Sequence, residues 1–203
     1  MARMAAAGTR ERILDAASTL FYRHGVRAVG MNRIISEAGT GKNLLYTHFS
    51  HKADLASAYL ERVAAQRAAA LKHARRGAGD DPRAALVAIV EETAKTVREN
   101  DFRGCAFRMY LAEFPDEPAQ DSTGGLSPAG VARRVLLAAR SEIDVLAARA
   151  VGSGPDAEQL AEQVWLLVDG LYQQAAYRDR TDDGADRGAA AAVTLAKALV
   201  DGA

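Results

Sequence analysis

A single cysteine among 203 residues cannot close an internal disulfide, which excludes a small stapled secreted scaffold and fits a reducing compartment. Only 5 prolines and 17 glycines exclude collagen-like and low-complexity chains. No stretch approaches the roughly 18–20 uninterrupted apolar residues of a membrane span. The first residues, with Arg3, Arg10 and Arg12, lack the apolar core and cleavage site of a signal peptide. Aromatics are scarce at 6%, and no Asn-Gly or Asp-Gly turn separates alternating apolar runs, so hairpins are not indicated. Alanine, the best helix former, is plentiful in a chain that is 49% apolar and 26% charged. That balance excludes disorder through lack of hydrophobicity, and the length suffices to bury a core. The expectation is a soluble, cytoplasmic, helical protein without a membrane partner.

A net charge of zero conceals an asymmetry. Residues 1–76 carry 13 Lys/Arg against 5 Asp/Glu, a net +8, and residues 77–203 carry 13 against 21, a net −8. All four histidines (His24, His48, His51, His73) lie in the basic part. A basic first third on an acidic body suggests a polyanion at one end and its repulsion from the other.

Periodicity reads as helix almost throughout. Residues 9–24 place Ile13, Ala17, Leu20, Phe21 and His24 on one face, and Gly25 ends the helix. Residues 31–38 (Ile34, Ile35) and 42–49 (Leu44, Leu45, Phe49) are two short helices around the turn Gly39-Thr40-Gly41. A longer helix, 52–75, turns Leu55, Tyr59 and Val63 inward and stops at Gly77-Ala78-Gly79. Asp81-Pro82 starts the next, since aspartate caps and proline tolerates the first turn. That helix reaches about residue 100, with Leu86, Ile89, Val90, Thr93 and Val97 on one stripe. Gly104 opens a short helix that ends at Pro115, and residues 115–127 read as a mobile loop. Helices at 128–150, 156–177 and 185–200 complete an all-α chain of about nine helices.

The two short helices outline a helix-turn-helix, in which 31–38 cross the duplex backbone and 42–48 enter the major groove. The second would present Lys42, Asn43, Tyr46, Thr47 and His48, held to the scaffold by Leu44, Leu45 and Phe49. Asparagine and lysine reach base edges, and tyrosine and lysine suit phosphate. The glycine-opened helix ends offer uncovered N–H groups to phosphate.

Residues 25–55, GVRAVGMNRIISEAGTGKNLLYTHFSHKADL, resemble the DNA-binding segment of TetR-family transcriptional regulators. Gly25, Ile34, Ala38, Gly39, Lys42, Leu45, Tyr46, His48, Phe49, Lys52 and Leu55 stand in register with that family's pattern. The resemblance implies a three-helix DNA-binding domain at about 9–50, a linking fourth helix, and a five-helix body for ligand binding and dimerisation. It implies that Tyr46 and Lys52 touch the DNA backbone and that His48 contacts phosphate, with packing as the other role for His48. Where the family has Ser or Thr opening both short helices, this chain has Gly30 and Gly41. The candidate DNA-contacting set is Gly30, Met31, Asn32, Gly41, Lys42, Asn43, Tyr46, Thr47, His48 and Lys52. Residues 104–117, GCAFRMYLAEFPDE, resemble a Gly-Cys-x-Phe motif followed by Glu-Phe-Pro-Asp in one branch of the family.

The resulting division is 1–52 for DNA binding and 53–203 for ligand binding and dimerisation. In the body, Cys105, Phe107, Met109, Tyr110, Trp165 and Tyr172 are the candidates for lining a pocket for a small apolar or aromatic effector. Val164, Leu167, Val168 and Leu171, with Val193 and Ala196 on the last helix, are the candidates for a homodimer interface; an ordinary interior helix pair is the other reading. His48 and His51 lie three apart, but no cysteine or carboxylate cluster completes a metal site, and no cofactor is expected. Cys105 has no histidine after residue 73 to act as its base, so catalysis is not indicated. The function read from the sequence is a repressor released from a palindromic DNA operator by a small molecule. The alternative is a helical small-molecule-binding or enzymatic protein without DNA function.

Overall fold

The computed structural model describes residues 2–99, 101–174 and 184–202. Among them are nine α-helices and no strand: α1 (Ala2–His24), α2 (Met31–Glu37), α3 (Lys42–His48), α4 (Lys52–Ala74), α5 (Pro82–Thr96), α6 (Ala106–Glu113), α7 (Pro128–Val151), α8 (Pro155–Gln174) and α9 (Gly184–Asp201). The all-α architecture is as expected, although α1 begins at Ala2, ahead of the Thr9 start. α5 ends at Thr96, short of the expected end near residue 100, and the expected end at Tyr177 lies outside the described residues. No described helix is long and apolar enough to cross a membrane.

Helix ends follow local chemistry. The Asp81 carboxylate accepts the Arg83 N–H at 2.9 Å with Pro82 in the first turn, and the Ser127 hydroxyl accepts the Gly130 N–H at 3.0 Å ahead of α7. Asp54, in the first turn of α4, accepts the His51 N–H at 2.8 Å, the carboxylate half of a capping box. α2 ends in a Schellman turn: Gly39 has φ +57°, Thr40 N–H reaches the Ile35 carbonyl at 3.1 Å, and Gly39 N–H reaches Ser36 at 3.2 Å.

The chain divides into two compact units, 1–65 with 106–135, and 66–105 with 136–203. This partition does not follow a linear boundary at 52/53, because the segment carrying α6 is grouped with the N-terminal helices. In the first unit Ile13, Leu20, Phe21, Ile34, Leu45, Leu55 and Leu60 are buried, and Phe21 meets Tyr59 edge-on at 5.8 Å. Burying each such side chain contributes about 1.5–3 kcal/mol. Residues 115–127, expected as a loop, are irregular and carry their own hydrogen bonds. Gln120 and Leu126 form an antiparallel bridge, and the Asp121 carboxylate accepts the N–H groups of Thr123 (2.8 Å) and Gly125 (3.0 Å). Polar and glycine residues mark a turn in sequence, but here they satisfy one another.

In the second unit α5, α8 and α9 pack together. Leu86, Ile89 and Val90 of α5, Leu160, Val164, Val168 and Leu171 of α8, and Ala189, Ala192, Ala196 and Val200 of α9 are buried. The alanine stripe of α9 allows its backbone close approach. Arg75 pairs with Glu142, and Arg140 pairs with Asp144 (3.0 Å) and Glu162 (2.6 Å).

Candidate nucleic-acid interface

Two side chains anchor the short helices. Ile34 is the buried residue of α2, Leu45 is the buried residue of α3, and Phe49 is buried just after α3. With inward positions so few, the rest of α3 faces outward. Lys42, Asn43, Tyr46 and Thr47 are exposed, and so is Asn32 in α2, while Met31 is half-buried. The spacing i, i+3, i+4 puts Asn43, Tyr46 and Thr47 on one strip. The Thr47 hydroxyl donates to the Asn43 carbonyl at 2.8 Å, so its remaining lone pairs face outward as acceptors.

Two expectations about this segment change. Leu44 is 43% exposed and does not hold α3 to the scaffold; a two-turn helix has room for one inward anchor, and Leu45 takes it. An exposed leucine there suits a thymine methyl group. His48 is half-buried, with Nε2 enclosed and without a hydrogen-bond partner, unlike the exposed residues beside it. His24 is exposed and does not belong to the inward face of α1.

Gly30 and Gly41 sit at the N-caps of α2 and α3 in extended conformation, and no side chain caps either helix. A Cβ at either glycine would meet nothing within 4 Å. Gly41→Ser should therefore be accepted and should stabilise the fold by a few tenths of a kcal/mol, measurable as a small rise in melting temperature.

Lys52 is turned toward its own domain. Its ammonium donates to the Arg27 carbonyl at 3.2 Å. Partial burial lowers its pKa, and the negative charge of Glu113 opposes that shift. Glu113 ends α6 and closes the turn between α1 and α2. Its carboxylate accepts the Val26 N–H at 3.1 Å and the Arg27 N–H at 2.6 Å. The Arg27 guanidinium donates to the Glu113 carbonyl and lies 4.9 Å over the Phe114 ring. Gly25, at φ +81°, makes room: a Cβ there would lie 2.7 Å from the Glu113 carboxylate.

The candidate effector residues do not fall within one unit. Phe107, Met109 and Tyr110 belong to the first, and Cys105, Trp165 and Tyr172 to the second. Cys105, Phe107, Tyr110 and Tyr172 are buried, and Met109 and Trp165 are half-buried. Tyr110 is engaged locally, stacked on Phe114 at 4.7 Å with its hydroxyl donating to Glu117 at 2.7 Å. Tyr172 stacks on Phe102 at 5.9 Å, and the Arg67 guanidinium lies 5.9 Å over the Tyr172 ring. The sequence analysis missed Arg67 and Phe102, although Arg67 stands two helical turns beyond the buried Leu60, where an apolar residue is expected.

The dimer candidates divide by their burial within the single chain. Val164, Val168, Leu171 and Ala196 are buried within the single chain, packed where α5, α8 and α9 meet, so they have no surface to give to a second copy. Leu167 and Val193 are half-buried. The exposed large apolar side chains of α8 and α9 are Leu166 and Leu195.

Residues 13–59, which span this helix-turn-helix, match the family described as bacterial regulatory proteins, tetR family. The segment is similar to that family. HTH-type transcriptional regulators of Staphylococcus aureus are 43% identical to this chain over 53 residues, 26% of the chain and 29% of their own length. The likeness to these curated relatives therefore spans under a third of their length. Over the whole chain, a TetR-family transcriptional regulator from Streptomyces coelicolor superposes with a TM-score of 0.81 at 25% identity, covering 96% of this chain and 95% of that one. A tetR-type regulator from Streptomyces avermitilis superposes at 0.73 with 28% identity, covering 96% and 97%. The TetR-like fold thus extends through α9, well beyond the matched segment.

Proposed function

We propose that this chain is a TetR-family transcriptional regulator, a cytoplasmic homodimer that represses from a palindromic operator and leaves it when a small apolar or aromatic molecule binds the body. The observation that carries the reading is the exposed strip of Lys42, Asn43, Tyr46 and Thr47 on a helix pinned by Leu45 inside a segment similar to the TetR family. The functional division at residue 52 is retained: 1–52 meet DNA, and 53–203 bind effector and second copy. The Gly104-Cys105-Ala106-Phe107 run supports placing the chain in the Gly-Cys-x-Phe branch. The reading assigns no enzymatic activity, in keeping with the burial of Cys105.

Duplex fragments selected from a random pool by the purified protein test the reading. An enriched inverted repeat is expected, with affinity falling steeply as salt rises, because the +8 of residues 1–76 displaces counterions from phosphate. Recovery of no sequence above background would remove the regulator reading.

Reading and positioning residues separate in the same assay. Asn43→Ala should lower the ratio of specific to nonspecific affinity by about 1–3 kcal/mol, the size of a bidentate base contact. Tyr46→Phe should weaken all duplexes alike. Lys52→Met should weaken binding without reducing the salt slope, because its ammonium holds the Arg27 carbonyl. A slope reduced by about one would return Lys52 to the phosphate contacts.

A further inference from the structure

In the second unit, most arginines meet acceptors of the chain itself. Arg75 and Arg140 meet carboxylates, and Arg83 donates to the carbonyls of Val200 and Ala150. Arg67 does not. Its Nη1 is enclosed and makes no hydrogen bond, and among the described residues no carboxylate pairs with it. Its contact is with the face of Tyr172, which is itself buried and stacked on Phe102.

A ring face engages the flat side of a guanidinium. The five N–H groups lie in the guanidinium plane, so the ring leaves them all to seek acceptors elsewhere. A desolvated cationic N–H without an acceptor is a net cost to the fold. Such a group also has high affinity for any acceptor that reaches it. The acceptor whose geometry and charge match the planar fork is a carboxylate, bound through two parallel hydrogen bonds. Phe102, half-buried and stacked on Tyr172, offers an apolar, flat contact surface.

We propose that Arg67, Tyr172 and Phe102 form the recognition end of a site for a small carboxylic acid with a flat apolar body. The proposal rests on the reading of the body as effector-binding and narrows the effector from apolar or aromatic to acidic. Arg67 supplies the charge-matched fork, Tyr172 holds the guanidinium plane, and Phe102 extends the stack.

The test uses the full chain and pairs of probes that differ only in the acid group: benzoate and benzamide, phenylacetate and phenylacetamide, cinnamate and cinnamamide, indole-3-acetate and its amide. At about 100 times its Kd, a bound acid should raise the melting temperature by about 5–10 °C. Its amide should leave it unchanged. Arg67→Met should melt at or above wild type, since it removes the enclosed, unbonded Nη1 of a half-buried side chain while keeping the stem, and should lose the acid response. Arg67→Lys keeps the charge without the fork and should weaken acid binding by about tenfold or more. Equal shifts from acid and amide, no shift from any acid, an undiminished response in Arg67→Met, or a melting temperature for Arg67→Met several degrees below wild type would each overturn the site.

Release of the duplex separates this proposal from the reading beneath it. An acid that binds through Arg67 yet leaves the protein–duplex complex intact supports the site and removes the effector role. A neutral probe that releases duplex from wild type and Arg67→Met alike supports the regulator and overturns the acid site.

Discussion

Gly25→Ala should destabilise the chain by about 2–4 kcal/mol and weaken duplex binding by tenfold or more at the same salt. Two costs add. At φ +81° the backbone is in the left-handed region, where an L side chain costs about 1–2 kcal/mol. The new Cβ would also stand 2.7 Å from the Glu113 carboxylate. That carboxylate is the end of a flexible side chain and can move, but moving it breaks its bonds to the N–H groups of Val26 and Arg27. Two N–H groups in the α1–α2 turn then lose a charged acceptor, at about 1–3 kcal/mol. The turn sets where α2 starts, and α2 leads through the Gly39 turn into α3, so loosening it spreads the angle at which Lys42 and Asn43 meet DNA.

Glu113→Ala separates the two costs. Alone it removes the carboxylate and should cost about 1–3 kcal/mol. In that background Gly25→Ala should cost only the backbone part, so the pair should be less than additive in a urea or thermal melt. Full additivity would show that Glu113 does not press on position 25, and the weakened duplex binding would then need another cause.

The features legible in the sequence are those set by neighbours along the chain. Asp81-Pro82 and Ser127-Pro128 mark helix starts because the cap and its N–H partner lie two or three residues apart. Ala38-Gly39 marks the turn between α2 and α3 because only a left-handed residue completes those two hydrogen bonds. The outward strip of α3 follows from the same local logic, apart from Leu44 and His48. Leu44 was misplaced, and His48 was left with two roles, because residue type alone does not say which of several candidates fills a single inward position.

What the sequence conceals is set by distant partners. Glu113 acts 86 residues from the N–H of Arg27, and nothing in AEFPDE announces a capping acceptor for another helix's turn. Arg67 was legible in part, as a charge on the apolar stripe of α4, but its ring partner is on α8, 105 positions on. The apolar residues of α8 left two readings open, a face for a second copy and an ordinary interior helix pair. Periodicity reports that both sides of such a helix are apolar, and only packing shows that the Val164–Leu171 side is already taken by α5 and α9.

That distinction predicts different fates for two leucines on one helix. Leu171→Asp should unfold the chain. The side chain is 4% exposed, and an unpaired buried carboxylate costs several kcal/mol, a large part of a typical stability of 5–15 kcal/mol. Leu166→Asp should leave the fold intact, because that side chain is 60% exposed in the single chain. Two residues on from Val164 places it about 200° around the helix, on the side away from the core. Leu195 of α9, 53% exposed, is in the same position of having little to lose within its own chain. If the second copy covers these leucines, burying two aspartates from each copy, four per interface, repels it, and Leu166→Asp with Leu195→Asp should sediment as a monomer with an unchanged melting profile on dilution. Such a monomer should bind a half-site nearly as well as wild type and lose most of its preference for two half-sites spaced one helical turn apart. An intact dimer in the double variant would remove α8 and α9 from the interface, leaving the exposed Leu137 and Val145 of α7 as the next face to charge.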